Sequence, residues 1–305
     1  MIDFHRLDPA QKKEYDAVLQ NCGRRGCEYS FDNLYLWGRQ EAAFLGESLA
    51  LFSQYDRRSA YPFPILRGDP KPVLDALIDD ARSRRISCRF ISMMPEDCVL
   101  LESLYPGQFL FYTDRDSFDY VYNIDDLADL KGRKYQKKRN HFNHFRQVFP
   151  DYRVDPLSKE NLDLARELVS CWFARDVCRD EGSEFYQESR AIRRAFDHYD
   201  ELEMEGLLLT NGGKPLAVTM GSRLTADTFD IHFEKALDSP DSAYPAINCE
   251  FARYLREKYP EVRYLDREDD LGLSGLRQAK LSYLPAFLIE KSWARLKEKD
   301  WDEND

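Results

Sequence analysis

DTFDIHFEKALDSPDSAYPAINCEFARYLREKYP, residues 227–260, decides how this chain is built. Phe229, Ile231 and Phe233 alternate with Asp230, His232 and Glu234, the period of two that predicts a strand with one apolar and one polar face. A polar loop follows, and residues 244–258 then carry apolar side chains at helical spacing. Residues 262–265 return to a strand, so the segment reads as sheet covered by helix.

Working outward, strands are expected at 206–211 and 214–223, joined through Asn211-Gly212, a strong hairpin signal. Before them stand helices from Ser158 to about Cys178 and over 184–199, and a basic helix over 133–149. The first part of the chain repeats the mixture: a three-strand meander over 41–65, a helix over 70–84 with Pro at its start, a strand at 88–94, a helix around 97–105 and a β-rich stretch at 109–124. A helix at 274–281, a final strand at 285–291 and an acidic tail expected to fray complete the chain. The fold class is therefore α+β with mixed sheets. The change of element order near 125 divides the chain into lobes 1–125 and 126–305, and without a Pro/Gly/Ser linker they should share an interface.

The 305 residues suit two domains, and 43% hydrophobic residues suffice for packed cores, which excludes a disordered chain. A net charge of -11 excludes general coating of DNA. Neither a signal peptide nor a membrane-spanning run is recognisable, and the seven scattered cysteines read as reduced thiols, so a cytoplasmic protein is expected.

The positive charge is concentrated. Lys131–Arg146 holds seven basic residues and no acidic one. Tyr135, Phe142, Phe145 and Phe149 form the apolar face of this helix, and Lys138 falls within that stripe, where it must snorkel, pair with a buried carboxylate or enter a polar cavity. The outer cations read most simply as a solvated face. His141 and His144 lack a carboxylate at a compatible spacing, so no metal site is expected of them. Asp266, Glu268, Asp269 and Asp270 directly follow a strand and precede a Gly-rich turn and a short helix bearing Arg277 and Lys280. Acids at a strand's C-terminal end suit an amine-binding or general-base site, and equally a solvated loop.

KGRKYQKKRNHFNHF (131–145), HFEKA (232–236) and DREDDLGLSGLRQAKLSYLP (266–285), in that order, resemble the phosphatidylglycerol lysyltransferase C-terminal domain family, over essentially the whole chain. The resemblance implies two tandem lobes of the GNAT (acyl-CoA N-acyltransferase) fold, related to Fem-type aminoacyltransferases that use aminoacyl-tRNA. It implies that Glu234, Lys235, Asp269 and Lys280 line a transfer site. The lipid-modifying members carry a transmembrane region ahead of this domain, and none is recognisable here. The place of the GNAT pyrophosphate loop reads ALDSPDSAYPAIN (236–248), without its glycines.

The expectation is an acyl or aminoacyl transferase with an aminoacyl-tRNA or acyl-CoA type donor, an amine or hydroxyl acceptor and no required cofactor. Glu234, Asp269 and Lys280 are the catalytic candidates: an acid to bind or deprotonate the acceptor, a cation to meet developing negative charge. Lys134, Lys138, Arg139, Lys235, Asn248, Asp270, Arg277 and Tyr283 are the substrate-binding candidates. The rival is a non-catalytic binding protein, and a third reading docks the basic helix on anionic lipid. Convergence of Glu234, Asp269 and Lys280 in one cavity separates the first two. No chemistry is assigned to the N-terminal lobe, whose Tyr29, Phe31, Leu34, Tyr35, Leu36 and Trp37 are expected to pack as core or line the inter-lobe cleft.

Overall fold

The computed structural model describes residues 1–55, 58–175, 184–237 and 243–297. The fraying expected of the tail, the helix end near Cys178 and the middle of ALDSPDSAYPAIN lie outside these residues.

The first elements are β1 (His5–Arg6), α1 (Lys12–Leu19), α2 (Phe31–Trp37), β2 (Gln40–Leu45), β3 (Ser48–Tyr55), β4 (Arg58–Pro62), α3 (Pro70–Arg84), β5 (Arg89–Met93), α4 (Pro95–Leu104) and β6 (Phe109–Thr113). Then come β7 (Asp119–Asn123), α5 (Ile124–Asp129), α6 (Gln136–Val148), β8 (Tyr152–Pro156), α7 (Leu162–Arg175), α8 (Glu184–Asp197), β9 (Glu205–Asn211), β10 (Lys214–Arg223) and β11 (Thr228–Ala236). The chain closes with α9 (Tyr244–Lys258), β12 (Tyr264–Asp266), α10 (Ser274–Leu281), β13 (Phe287–Ile289) and β14 (Ser292–Leu296). Local signals set many boundaries. Asp69 accepts the Lys71 N–H at 3.1 Å ahead of Pro70 and starts α3, and Asn211-Gly212-Gly213 turns β9 into β10 with both glycines at positive φ.

Two seven-stranded mixed sheets flanked by helices form two tandem GNAT-like lobes, ordered β1-β2-β3-β4-β5-β14-β6 and β13-β7-β12-β11-β10-β9-β8. A single cut at 125 does not follow the sheets. Strand β7, ahead of the cut, pairs with β12 and β13 of the second sheet, whereas β14, at the C-terminal end, lies between β5 and β6 of the first. The strand expected at 285–291 is the short β13, and a further strand that was not expected, β14, follows it in the other sheet. Alternation along a strand reports which face is buried but carries no information on which distant strand it joins.

The lobes are fused by a shared apolar core. Phe31, Leu34 and Leu36 of α2 pack with Ala191, Ile192, Ala195 and Phe196 of α8, and with Leu168 of α7 and Phe233 of β11. Gly38 ends α2 in the left-handed region, and a Cβ there would sit 2.3 Å from the Arg194 guanidinium, which donates to the Leu36 carbonyl at 2.7 Å.

Strand β11 breaks its own alternation. Its pairing with β10 runs Met220 to Phe233 and then Gly221 to Ile231, leaving His232 as an extra residue in a β-bulge. Phe229 and Ile231 consequently face the core beneath α9, whereas Phe233 faces the inter-lobe core, so the expectation that Asp230, His232 and Glu234 share one face is corrected. On the other side, β11 pairs with parallel β12 only over Thr228–Asp230 against Tyr264–Asp266. Both β11 and the chain after Asp266 line one cavity beyond the end of that short ladder.

Candidate functional site

That cavity measures about 680 Å³. Glu234, Asp269 and Lys280 all line it, as do Lys138, Lys235 and Tyr283. Trp37 of the N-terminal lobe, Trp172 and Glu188 contribute as well, so three sequence-distant regions build the wall.

Helix α10 positions Lys280 at the floor. Its ammonium donates to the backbone carbonyls of Arg267, at 2.5 Å, and Asp269, and burial, with Arg267 close by, lowers its pKa. An ammonium has three N–H bonds, and two are thus taken. Asp269 is half-buried at the same wall. Burial pushes its carboxyl up to about 7, although Lys291 and Lys280 pull the other way.

Glu234 is held on both sides. It accepts from Arg267 Nη2 at 3.0 Å and from Asn248 Nδ2 of α9 at 3.2 Å, which places Asn248 behind the cavity wall. The Arg267 guanidinium lies 5.1 Å from the Tyr283 ring centroid, and its other terminal nitrogen is buried without a hydrogen-bond partner. Lys235 pairs with Glu188 at 2.7 Å and lies 3.8 Å from the Trp172 ring centroid.

Of the three options for Lys138, the structure takes the polar cavity. Its Nζ stands 3.7 Å from the Tyr283 ring centroid, and burial, reinforced by Arg267 and Lys137, lowers its pKa to about 8. The neighbouring candidates are engaged elsewhere. Lys134 pairs with Asp126 at 3.3 Å on the surface, and Arg139 donates to the Leu130 and Gly132 carbonyls that turn the chain into α6. Neither lines the cavity: Lys134 lies in the turn ahead of α6, and Arg139 stands one step further round the helix than Lys138.

Asp270 and Arg277 likewise form a structural clamp outside the cavity lining. Against the pull of burial, hydrogen bonds from Arg277 and Tyr120 hold the Asp270 carboxyl down at about 2. Arg277 also reaches Asp116, at 2.6 Å. This network ties the loop after β12 to β7 and so fixes Asp269 in place.

Sequence reasoning passed over Arg267 and His232 as site residues, and Asn33 of the N-terminal lobe, which donates to Glu268 at 3.0 Å. Arg267 lay within the flagged acidic stretch beside Glu268; nothing local marked Asn33, whereas Trp37, one of the residues expected in the core or the inter-lobe cleft, lines the cavity. His232 Nδ1 stands 3.2 Å from Glu268 Oε1 and 3.4 Å from Asp230 Oδ2. Burial, with Glu268 and Asp266 adjacent, pushes the Asp230 carboxyl well above the usual range.

With this geometry in hand, comparison with known proteins decides the family. The family described as phosphatidylglycerol lysyltransferase, C-terminal, matches residues 20–295. The chain belongs to that family. A conserved protein of unknown function from Bacteroides thetaiotaomicron is 36% identical, with a TM-score of 0.91 over 97% of this chain and all of that one. The structure of L-PGS from Bacillus licheniformis shares the fold at 17% identity and a TM-score of 0.70, over 97% of this chain and 94% of that one. An uncharacterized protein of Mycoplasmoides gallisepticum is 26% identical over 179 residues, 57% of this chain, and the match spans 55%, about half, of that curated relative. Among the described residues, no helix of this lysyltransferase-family chain is long and apolar enough to cross a membrane.

Proposed function

We propose that the cavity transfers an aminoacyl group from an activated ester, of the aminoacyl-tRNA kind, to an amine or hydroxyl acceptor. The observation that carries this reading is the convergence of Asp269, Glu234 and Lys280 in one cavity with Lys138 in its wall. A carboxyl raised by burial to about 7, beside a buried lysine, is suited to take and return a proton near neutral pH.

The acceptor is held with its nucleophilic atom toward Asp269, which takes its proton as that atom attacks the ester carbonyl. The remaining N–H of Lys280 meets the oxyanion of the tetrahedral intermediate. Collapse expels the ester oxygen, which takes the proton that Asp269 removed from the acceptor and so restores the Asp269 carboxylate. Glu234, with both oxygens engaged by Arg267 and Asn248, positions the acceptor or the donor's amino group without acting as the base. Lys138 and the exposed Lys137 meet the anionic part of the donor. Acyl-CoA is the less suited donor, since residues 236–248 lack the glycines of a pyrophosphate loop.

The test incubates the protein with tRNA charged with labelled amino acids and a set of amine and hydroxyl acceptors. Label moving from tRNA to acceptor, and lost in Asp269→Asn, supports the reading. Turnover with acyl-CoA alone would replace the donor, and no turnover with either would end the transferase assignment.

A titration follows from Lys138. Its charge is present below about 8 and lost above it, so affinity for a polyanionic donor should fall as pH rises through that value. Lys138→Met should remove this step and lower the salt dependence, log K against log salt, by about 0.7–0.9. Binding that is flat in both salt and pH would exclude Lys138 and α6 from donor recognition.

A further inference from the structure

Behind the cavity, Asp230 and His232 of β11 and Glu268 after β12 bring one ligand atom each within 4.8 Å of one another. The transfer step uses none of them. Asp230 is fully buried, and neither of its carboxylate oxygens has a hydrogen-bond partner; Asp266, its pairing partner across the β11–β12 ladder, also holds one such oxygen. Buried carboxylates are ordinarily paired or bound to a cation.

We propose that Asp230, His232 and Glu268 bind a divalent first-row cation of the Mn²⁺ or Zn²⁺ kind at the back of the cavity. The ligand separations of 3.2 and 3.4 Å about His232 Nδ1 are those of donors arranged around one ion at bond lengths of about 2.0–2.2 Å. One imidazole with two carboxylates suits such ions better than Mg²⁺ or Ca²⁺, which prefer all-oxygen shells. The outer contacts fit as well. His232 Nε2 hydrogen-bonds Ser222 Oγ at 2.8 Å, which leaves Nδ1 free to ligate, and Asn33 orients Glu268.

A proton on Nδ1 is the simpler cation, but its hydrogen bond goes to Glu268, and at 3.4 Å from Asp230 Oδ2 it leaves both Asp230 oxygens without a hydrogen bond. The contrast with the adjacent trio of Cys27, Glu28 and Asp119 is instructive. There the Lys291 ammonium already sits 2.7 Å from both carboxylates, so that cluster has its cation within the chain. Among the described residues no lysine or arginine plays that part for Asp230, whose ion-pair neighbour is His232. The bulge at His232 supplies the geometry, and Gly221 opposite it permits the approach, since a Cβ there would lie 2.2 Å from the Asp230 carbonyl.

The experiment strips the full chain with a chelator and titrates Mn²⁺ alone, following the free ion by electron paramagnetic resonance, with Zn²⁺ as competitor. One Mn²⁺ per chain, displaced by Zn²⁺ and raising the thermal midpoint, is expected. Affinity should fall more than about tenfold in Asp230→Asn and in Glu268→Gln. Wild-type protein that takes up neither ion stoichiometrically overturns the site, as does unchanged affinity in folded variants. If Asp230→Asn does not fold, Glu268→Gln, on the cavity wall, decides alone. Neither donor nor acceptor enters this measurement, so its outcome is independent of whether transfer is observed.

Discussion

Lys280→Met is expected to lower the transfer rate constant by about 10²–10³, the loss measured when one donor to an oxyanion is removed. Methionine keeps the length and apolar body of the side chain and deletes the ammonium. Donor affinity should change little, because Lys138 and Lys137 stand on a different element. Some stability is also lost, since the Arg267 and Asp269 carbonyls no longer receive the ammonium, at about 1–3 kcal/mol for a buried group left unpaired. The assay therefore belongs well below the thermal midpoint, with circular dichroism run alongside. Single-turnover kinetics separate the two effects. A folded Lys280→Met protein with an undiminished transfer step would remove Lys280 from the chemistry.

Lys291→Met should produce the largest loss of stability, about 3–5 kcal/mol, the range for removing one partner of a buried ion pair. Lys291 is 2% exposed and lies between β13 and β14, where the chain leaves one sheet for the other. It joins Glu28 of the first lobe to Asp119, the first residue of β7 in the second sheet, at 2.7 Å each. The Asp119 carboxylate also accepts the Cys27 N–H at 2.9 Å. Methionine would leave the buried Asp119 carboxylate and the partly buried Glu28 carboxylate without a cation between them. The ionised form of Asp119 is what costs, and burial already pushes its carboxyl up to about 6, so the deficit should be greatest at neutral pH and above and should shrink as acidification protonates it. Urea denaturation at several pH values measures this. Lys71→Met, which breaks the exposed Lys71–Asp75 pair, is the control, at about 0–1 kcal/mol. A Lys291→Met midpoint no lower than the control's would show that the junction does not depend on the buried pair.

Most helices were legible because their signals are local. The extents of α3, α9 and α10 follow from apolar spacing and from Pro70 and Pro245 near their starts. The cavity was partly legible for a different reason. Lys138 was conspicuous as a cation in an apolar stripe, and the run from Asp266 to Asp270 as acids closing a strand. Charge density alone, however, put Lys134, Arg139, Asp270 and Arg277 beside the functional candidates, and only contacts tell a clamp from a reactive group. Asp270 and Asp269 are neighbours in the chain, yet one is held near 2 by Arg277 and Tyr120 and the other is raised to about 7 by burial.

By itself the sequence determined the class of fold, most of the longer elements and the segments that line the cavity, because hydrophobic period, capping residues and charge runs act within a few residues of chain. Tertiary structure alone decided three matters: that β7 and β14 exchange lobes, that the bulge at His232 turns Glu234 away from its expected face, and that Asn33 reaches Glu268 from the other lobe. The physical reason is common to all three. Strand pairing, register and burial are set by partners tens to hundreds of residues away, and pKa values follow the surroundings those partners create.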